Sequence, residues 1–197
     1  MFDPDRFIPD CRNAGVASGP SGVLEVVAAA VAAPTEVLHA LGEPRRAGVN
    51  VLYRSKELTI LNLIWGPQMC QLPHDHRMWA VIGIYTGRED NIFWRRPAGD
   101  PAGRIEAAGA KALSDREAMP LGPDIIHSVI NPIRRPTGAI HVYGGDFFAA
   151  THSQWTLKAF WKSRMTSSDC WRSSRNRTVY KPWHDQRHRS SSRRRGA

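Results

Sequence analysis

Cysteine is scarce in this 197-residue sequence, and its three cysteines, Cys11, Cys70 and Cys170, are widely separated. An odd number of isolated cysteines predicts neither a disulfide framework nor a cysteine-ligated zinc cluster. Long apolar runs are also lacking, because the most apolar stretch, residues 23–33, is too short to cross a bilayer. Acidic residues near the start argue against a signal peptide. We therefore expect a cytoplasmic protein with reduced thiols and no membrane partner.

Acidic side chains are few in the C-terminal part of the chain, which accounts for the formal net charge of +9. Residues 152–197 contain twelve of the 27 Lys and Arg but only two of the 18 Asp and Glu, so the preceding residues are nearly balanced. Nine serines and four of the seven tryptophans lie there, without strand alternation. This basic Arg/Ser-rich tail is interpreted as disordered or as the product of a reading-frame shift after Trp155. The less favoured alternative is an arm that binds nucleic acid by charge and stacking.

The rest of the sequence predicts helices followed by many short strands. Residues 20–42 have a helical pattern, which Pro34 divides in two and Gly42 ends. Short apolar runs separated by Gly, Pro and Asp turns then indicate a β-sandwich or barrel. The predicted strands are 49–53, 58–65, 71–76, 78–85, 89–95, 112–118, 125–131 and 139–143. The predicted domains are 1–48, a helical segment packing on the barrel; 49–151, the barrel; and 152–197, the tail.

Three histidines in two of these strands are the candidate metal ligands. His74 and His76 are separated by one residue, so strand alternation aims both rings at one side, and His127 lies in a similar setting further along. A lone histidine would more often be a hydrogen-bonded core residue or an exposed one. Neutral imidazole is, however, a preferred ligand of iron, nickel, copper and zinc. The three together predict a neutral metal site inside the barrel.

These segments resemble the cupin superfamily and, within it, the cysteine dioxygenase-like thiol dioxygenases. The resemblance covers most of residues 49–148, and it is carried by Tyr53-Arg54, Leu61-Asn62-Leu63-Ile64-Trp65-Gly66, His74-Asp75-His76, Tyr85-Thr86-Gly87, His127 and His141-Val142-Tyr143. It implies a mainly β fold, the cupin double-stranded β-helix or jelly-roll barrel, with the N-terminal helices outside. It also implies Fe(II) as the metal, with Ni or Zn as alternatives.

The resemblance implies roles for three further residues. His141 and Tyr143 would form a hydrogen-bonded pair beside the metal that orients substrate and dioxygen, and the less favoured alternative is a buried polar pair or a core aromatic. Arg54 would hold a substrate carboxylate through its guanidinium fork, although a surface arginine is almost as good an interpretation. Arg77, Arg95 and Arg96 are less specific alternatives.

Two departures from the family pattern narrow the expected chemistry. Many cupins have a glutamate ligand shortly after the histidine pair, but residues 77–83 contain none, and Glu89 is expected to be a strand-edge or salt-bridge residue. The animal thiol dioxygenases have a cysteine that crosslinks to the tyrosine, where this chain has Ala80. Cys70 precedes the histidines and is expected to be a small buried hydrophobe.

The expected function is oxidation of a small thiol, of the cysteine or 3-mercaptopropionate type, to its sulfinic acid with O2. The expected partners are therefore that thiol and dioxygen. The alternative is a non-enzymatic cupin module that binds a small metabolite or metal, because one scaffold supports many functions. The oligomeric state stays open.

Overall fold

The structure is a computed structural model that describes residues 1–100, 103–156, 161–165 and 179–182. Most of the predicted basic tail lies outside these described residues. The interpretations of that segment, and the domain division built on it, therefore remain predictions.

Two helices precede the strands. Helix α1 (Pro4–Val31) begins at the N-cap Asp3, whose side chain accepts a hydrogen bond from the Asp5 backbone N–H, and it is kinked at Gly19, where φ is 61°. Helix α2 (Pro34–Leu41) ends at Gly42, as predicted. The prediction of a helix from residue 20 was therefore incomplete, because α1 also includes the segment before its kink.

Twelve strands are found among the described residues, and they form two six-stranded sheets. In chain order they are β1 (Gly48–Arg54), β2 (Thr59–Trp65), β3 (Cys70–Asp75), β4 (Ala80–Thr86), β5 (Arg88–Arg95), β6 (Glu106–Ser114), β7 (Ala118–Leu121), β8 (Ile126–Ile130), β9 (Thr137–Tyr143), β10 (His152–Thr156), β11 (Trp161–Met165) and β12 (Val179–Pro182). Sheet A has the order β12-β1-β2-β9-β4-β7, and sheet B has the order β11-β10-β3-β8-β5-β6.

The eight strands β2–β9 form a jelly roll. The antiparallel set β2-β9-β4-β7 belongs to one sheet and the antiparallel set β3-β8-β5-β6 to the other. Two four-stranded sheets connected in this way are the jelly-roll architecture that cupins share. The prediction of a mainly β jelly-roll barrel with N-terminal helices is confirmed.

Most predicted strands end within two residues of the observed ones, but two predictions differ by more. The single strand predicted at 112–118 was wrong, because β6 ends at Ser114, a turn follows in which Arg116 has φ 70°, and β7 begins afterwards. The tail was predicted to start at residue 152, but His152–Thr156 forms β10, which pairs antiparallel with β3. Trp155 of this strand is fully buried, and its indole N–H donates to the Gly103 carbonyl. These residues therefore belong to sheet B.

The strands β2, β4 and β9 of sheet A are buried on both faces. Their inward side chains pack against sheet B, and their outward ones, such as Val81 and Ile140, pack with Val27 and Val31 of α1. A Cβ built on Gly83 would collide with Val27 Cγ1. Helix α1 can approach the sheet this closely because residue 83 has no side chain. Judged by length and composition alone, helix α1 is long and apolar enough to cross a membrane. The run of residues 23–33 by itself is too short to do so. The cytoplasmic location remains a prediction.

Candidate metal centre

The three predicted ligands meet at the inner face of sheet B. His74 lies in β3, His76 directly follows that strand, and His127 lies opposite His74 in the adjacent strand β8. The three side chains are 3%, 5% and 1% exposed, respectively. The antiparallel pairing of β3 with β8 therefore brings together histidines that are about fifty residues apart in the sequence.

The spacing of the three rings fits one metal ion. Each histidine offers one nitrogen, and the three nitrogens lie within 4.8 Å of one another. His76 Nε2 is 3.0 Å from His74 Nε2 and 3.4 Å from His127 Nε2. Two nitrogens that are each about 2.1 Å from one ion, at roughly 90–110° to each other, lie roughly 3.0–3.4 Å apart. The residues present therefore fit a divalent cation held by three imidazoles.

Hydrogen bonds behind two of the rings leave the inward nitrogens free to ligate. His74 Nδ1 lies 2.9 Å from the Leu72 carbonyl oxygen, and His127 Nδ1 lies 2.7 Å from Asn91 Oδ1. Both partners are acceptors, so each ring carries its proton on Nδ1 and presents the Nε2 lone pair. Such outer hydrogen bonds are the usual way in which metal-binding histidines are oriented.

Burial keeps all three rings neutral. It lowers the pKa of His74 to about 4, against a Leu72 hydrogen bond that acts in the opposite direction. Burial, followed by repulsion from neighbouring histidines, holds the pKa values of His76 and His127 well below the usual range. Neutral imidazole is the form that binds metals. The three imidazoles can therefore bind a metal ion at neutral pH without first having to lose the proton of a charged ring.

Sheet A supplies the predicted imidazole and phenol on the opposite wall. His141 and Tyr143 are two residues apart in β9, both point inward, and His141 Nδ1 is 3.1 Å from the Tyr143 hydroxyl. The Tyr143 ring packs edge-on against the His76 ring, with 5.0 Å between centroids. A hydrogen-bonded phenol thus lies beside the three-histidine cluster.

A small cavity lies between these two walls. Its volume is about 10 Å³, which corresponds to roughly one water molecule. It is lined by Leu63, Trp65, Gln71, His74, His76, His127, Val129, His141, Tyr143 and Phe147. None of these described lining residues is a lysine or an arginine. The polar groups of the cavity wall are the imidazoles, one phenol, one indole and one amide, and the other lining side chains are apolar.

Arg54 is the predicted site residue that the structure does not bring to this cavity. Its guanidinium donates to both carboxylate oxygens of Asp146, at 2.9 and 3.0 Å, and its side chain is 44% exposed. It also lies over the Phe148 ring. The Arg54 hydrogen bond in turn holds the pKa of Asp146 below its usual value. This arginine is engaged in an ion pair at the barrel surface, outside the cavity lining.

The alternative arginines are likewise outside the cavity lining. Arg77 and Arg96 lie 3.8 and 3.6 Å from the carboxylate of Asp75, and Arg95 pairs with Glu106.

Cys70 was expected to be buried but is exposed, because it is the first residue of β3 and its side chain does not face the core.

Two buried residues behind the ligands, Glu89 and Asn91, were not predicted to belong to the site. Glu89 is completely buried in β5 rather than at a strand edge, and it accepts a hydrogen bond from Asn91 Nδ2 at 3.0 Å. Its other oxygen, Oε2, lies 3.4 Å from His141 Nε2. The signal in the sequence was the alternation of Glu89 and Asn91, which puts both on one face of a strand.

His152 is a further buried histidine near the ligands. Its Nε2–H donates to the Phe147 carbonyl at 2.7 Å, and its ring lies 6.3 Å from that of His76 between centroids. Its Nδ1 has no hydrogen-bond partner among the described residues. Sequence reasoning assigned this residue to the tail because strand alternation ends shortly after it.

No protein-family model matches this chain. Similar solved structures include oxalate decarboxylase from Bacillus subtilis at pH 4.6, with 14% identity and a TM-score of 0.39 over 58% of this chain and 25% of that chain. A point mutant of the same enzyme has 16% identity and a TM-score of 0.38 over 48% of this chain and 23% of that chain. This chain thus spans about a quarter of those proteins. At such low TM-scores the similarity carries no argument about function.

Proposed function

We propose that this protein is a metal-dependent, thiol dioxygenase-like enzyme that oxidises a small thiol to its sulfinic acid. The overall reaction is RSH + O2 → RSO2H, in which sulfur loses four electrons and both oxygen atoms are transferred to it. The observation that carries the proposal is the His141–Tyr143 pair beside three neutral imidazoles. A purely structural zinc site is normally closed by four protein ligands, whereas three ligands leave room for reactants.

The residues of this chain would divide the work as follows. His74, His76 and His127 hold the ion and, being neutral, leave its positive charge available to a thiolate. When bound, Fe(II) supplies thiolate coordination and dioxygen activation, and Ni(II) or Zn(II) also suits these ligands. Tyr143 presents its hydroxyl oxygen to the reactants, and His141 fixes the direction of the hydroxyl proton. The apolar lining residues, which include Phe147, limit the cavity to about one water molecule.

Recognition of a substrate carboxylate has no support among the described lining residues. A carboxylate prefers a bidentate arginine, and Arg54 already makes such a contact with Asp146. We therefore propose a small thiol without committing to cysteine, 3-mercaptopropionate or an amine-bearing thiol. Discrimination among these rests on one or two contacts.

A second candidate function is a cupin module that binds a metal without turnover. It is favoured by one observation, namely that the cavity has room for about one water molecule and none for a thiol in this conformation. Under the enzymatic proposal, side chains that line the cavity, such as Phe147, must move to admit the substrate.

The experiment is to load the purified full-length chain with Fe(II) and to measure oxygen uptake and sulfinate formation with cysteine, 3-mercaptopropionate and cysteamine. We expect one thiol to consume one O2 per sulfinate formed. His39→Ala, which removes an exposed histidine on α2, is the matched control for site variants. Full iron occupancy without oxygen uptake for any of the three thiols would favour the binding module.

A further inference from the structure

Glu89 is a completely buried carboxylate that the proposed reaction does not use. Its Oε1 accepts from Asn91 Nδ2, while Oε2 has no hydrogen-bond partner among the described residues and lies 3.4 Å from His141 Nε2. An incompletely paired carboxylate in the interior is energetically costly, so its position calls for a physical explanation. The position of Glu89, on β5 of sheet B but facing His141 of sheet A, indicates that purpose.

On its own sheet, Glu89 orients a metal ligand through Asn91. A carboxylate can only accept hydrogen bonds, so the side of the Asn91 amide that faces Glu89 must be its NH2 group. The amide oxygen then faces His127 and lies 2.7 Å from His127 Nδ1, which must carry a proton. The remaining His127 nitrogen, Nε2, is thereby left as a lone pair directed at the metal centre.

Across the barrel, Glu89 orients the imidazole that holds the phenol. A proton on His141 Nε2 would face the carboxylate, whereas a lone pair there would face a second acceptor and be repelled. With the proton on Nε2, His141 Nδ1 accepts from the Tyr143 hydroxyl at 3.1 Å. The direction of the phenolic O–H is therefore determined at Glu89, through its 3.4 Å ion contact with His141 and the His141–Tyr143 hydrogen bond.

We propose that Glu89 is the positioning residue that selects the ring tautomers of both His127 and His141. One buried carboxylate would in this way prepare a metal ligand on sheet B and the imidazole–phenol pair on sheet A. This role goes beyond the proposed thiol oxidation and does not depend on it, because the tautomers exist in the metal-free protein.

The test is nitrogen-15 NMR of the ring nitrogens in the metal-free, full-length protein, with the His141 signals identified by their loss in His141→Gln. We expect the His141 proton on Nε2 and the His127 proton on Nδ1. In Glu89→Gln, the new amide NH2 would donate to His141 Nε2 and move the His141 proton to Nδ1. Asp90→Asn is the matched control, since Asp90 is on the same strand but pairs with Arg88 outside the cavity.

Zn(II) binding provides a second readout that needs no turnover. Outer hydrogen-bond partners of metal ligands typically contribute 10- to 100-fold to affinity. Glu89→Gln keeps an oxygen that accepts from Asn91 and should leave the His127 proton on Nδ1, whereas Glu89→Leu removes that acceptor and should weaken Zn(II) binding by about tenfold. Asp90→Asn should leave Zn(II) binding unchanged. A wild-type His141 with its proton on Nδ1 would overturn the proposal, even if neither variant folds. An unchanged His141 tautomer in a folded Glu89→Gln protein, or an unchanged Zn(II) affinity in a folded Glu89→Leu protein, would also overturn it.

Discussion

The two sheets contribute differently to the metal centre. Sheet B and the residue that follows β3 supply all three candidate ligands, and the outer hydrogen-bond partners of His74 and His127 lie in β3 and β5 of the same sheet. Sheet A supplies Tyr143, whose ring packs on His76 from across the barrel, and its partner His141, while α1 covers the outer face of that sheet. Metal affinity should therefore depend on sheet B, whereas reactivity should also require that sheet A is held in place.

The largest effect is expected from a ligand on sheet B. His127→Ala removes one of three imidazoles and should weaken Zn(II) or Fe(II) binding by more than about 100-fold, because even outer partners contribute up to that factor. Titration calorimetry would measure it, with His39→Ala expected to bind like the wild type. If His127→Ala retained the metal with wild-type affinity, the ligand assignment would be incorrect.

A substitution on sheet A should separate binding from reactivity. Tyr143→Phe keeps the ring that packs on His76 but removes the hydroxyl, so metal affinity should change by less than about twofold, while thiol-dependent oxygen uptake falls by about 100-fold. Tyr53→Phe, on the α1 side of the barrel, is the matched control. Equal losses of metal and activity in Tyr143→Phe would contradict this division between the sheets.

The packing of α1 on sheet A can be tested at Gly83. Gly83→Ala would push a Cβ into Val27, and overpacking of this kind typically lowers the free energy of unfolding by about 1–3 kcal/mol. Gly109→Ala, in the exposed strand β6, has open space around its Cβ and should not be destabilising. Urea unfolding of both variants distinguishes these outcomes, and equal stabilities would show that α1 does not hold the sheet.

The buried histidines on sheet B also predict a pH dependence for the metal-free protein. Their folded-state pKa values are depressed, to about 4 for His74, whereas an unfolded histidine titrates near about 6.5. The unfolded state therefore binds more protons, and the free energy of unfolding should fall as the pH drops from about 6.5 towards 4, by up to about 1.4 kcal/mol per pH unit for each ring. Urea titrations at several pH values measure the slope, which His127→Ala should reduce. A stability that is flat across this range would contradict the assignment of neutral rings.

The smallest effect is expected at Arg54, where the family resemblance and the observed geometry disagree. Arg54→Met breaks a partly exposed ion pair with Asp146, which is worth at most about 1 kcal/mol. If the geometry is right, KM for a carboxylate-bearing thiol stays within about twofold. A large rise in KM for cysteine but not for cysteamine would instead favour the role that the resemblance implies.

The sequence predicted which candidate side chains share a face, because strand alternation is a local property. The spacing of His74 and His76, and that of His141 and Tyr143, directly determines that each pair shares a face. The apolar runs of β2, β4 and β9 are typical of strands that are buried on both faces, but they do not show that α1 covers one of those faces.

The features that the sequence did not predict depend on long-range contacts, which the periodicity of apolar residues does not reveal. The burial of Glu89 was not predicted, because it follows from barrel closure, which places β5 opposite β9. Arg54 was misplaced because its partner, Asp146, is 92 residues away in the sequence. The first half of α1 was missed because it is mostly exposed and carries Pro9, so it lacks the apolar period that marks a packed helix.

The most direct measurement is X-ray absorption spectroscopy of the full-length protein loaded with one equivalent of Zn(II) or Fe(II), beside His127→Ala. We predict three imidazole nitrogens around the ion in the wild type. In His127→Ala we predict the loss of one of these nitrogens or of the ion. Two or fewer imidazoles in the wild type, or a sulfur ligand from a cysteine, would contradict it.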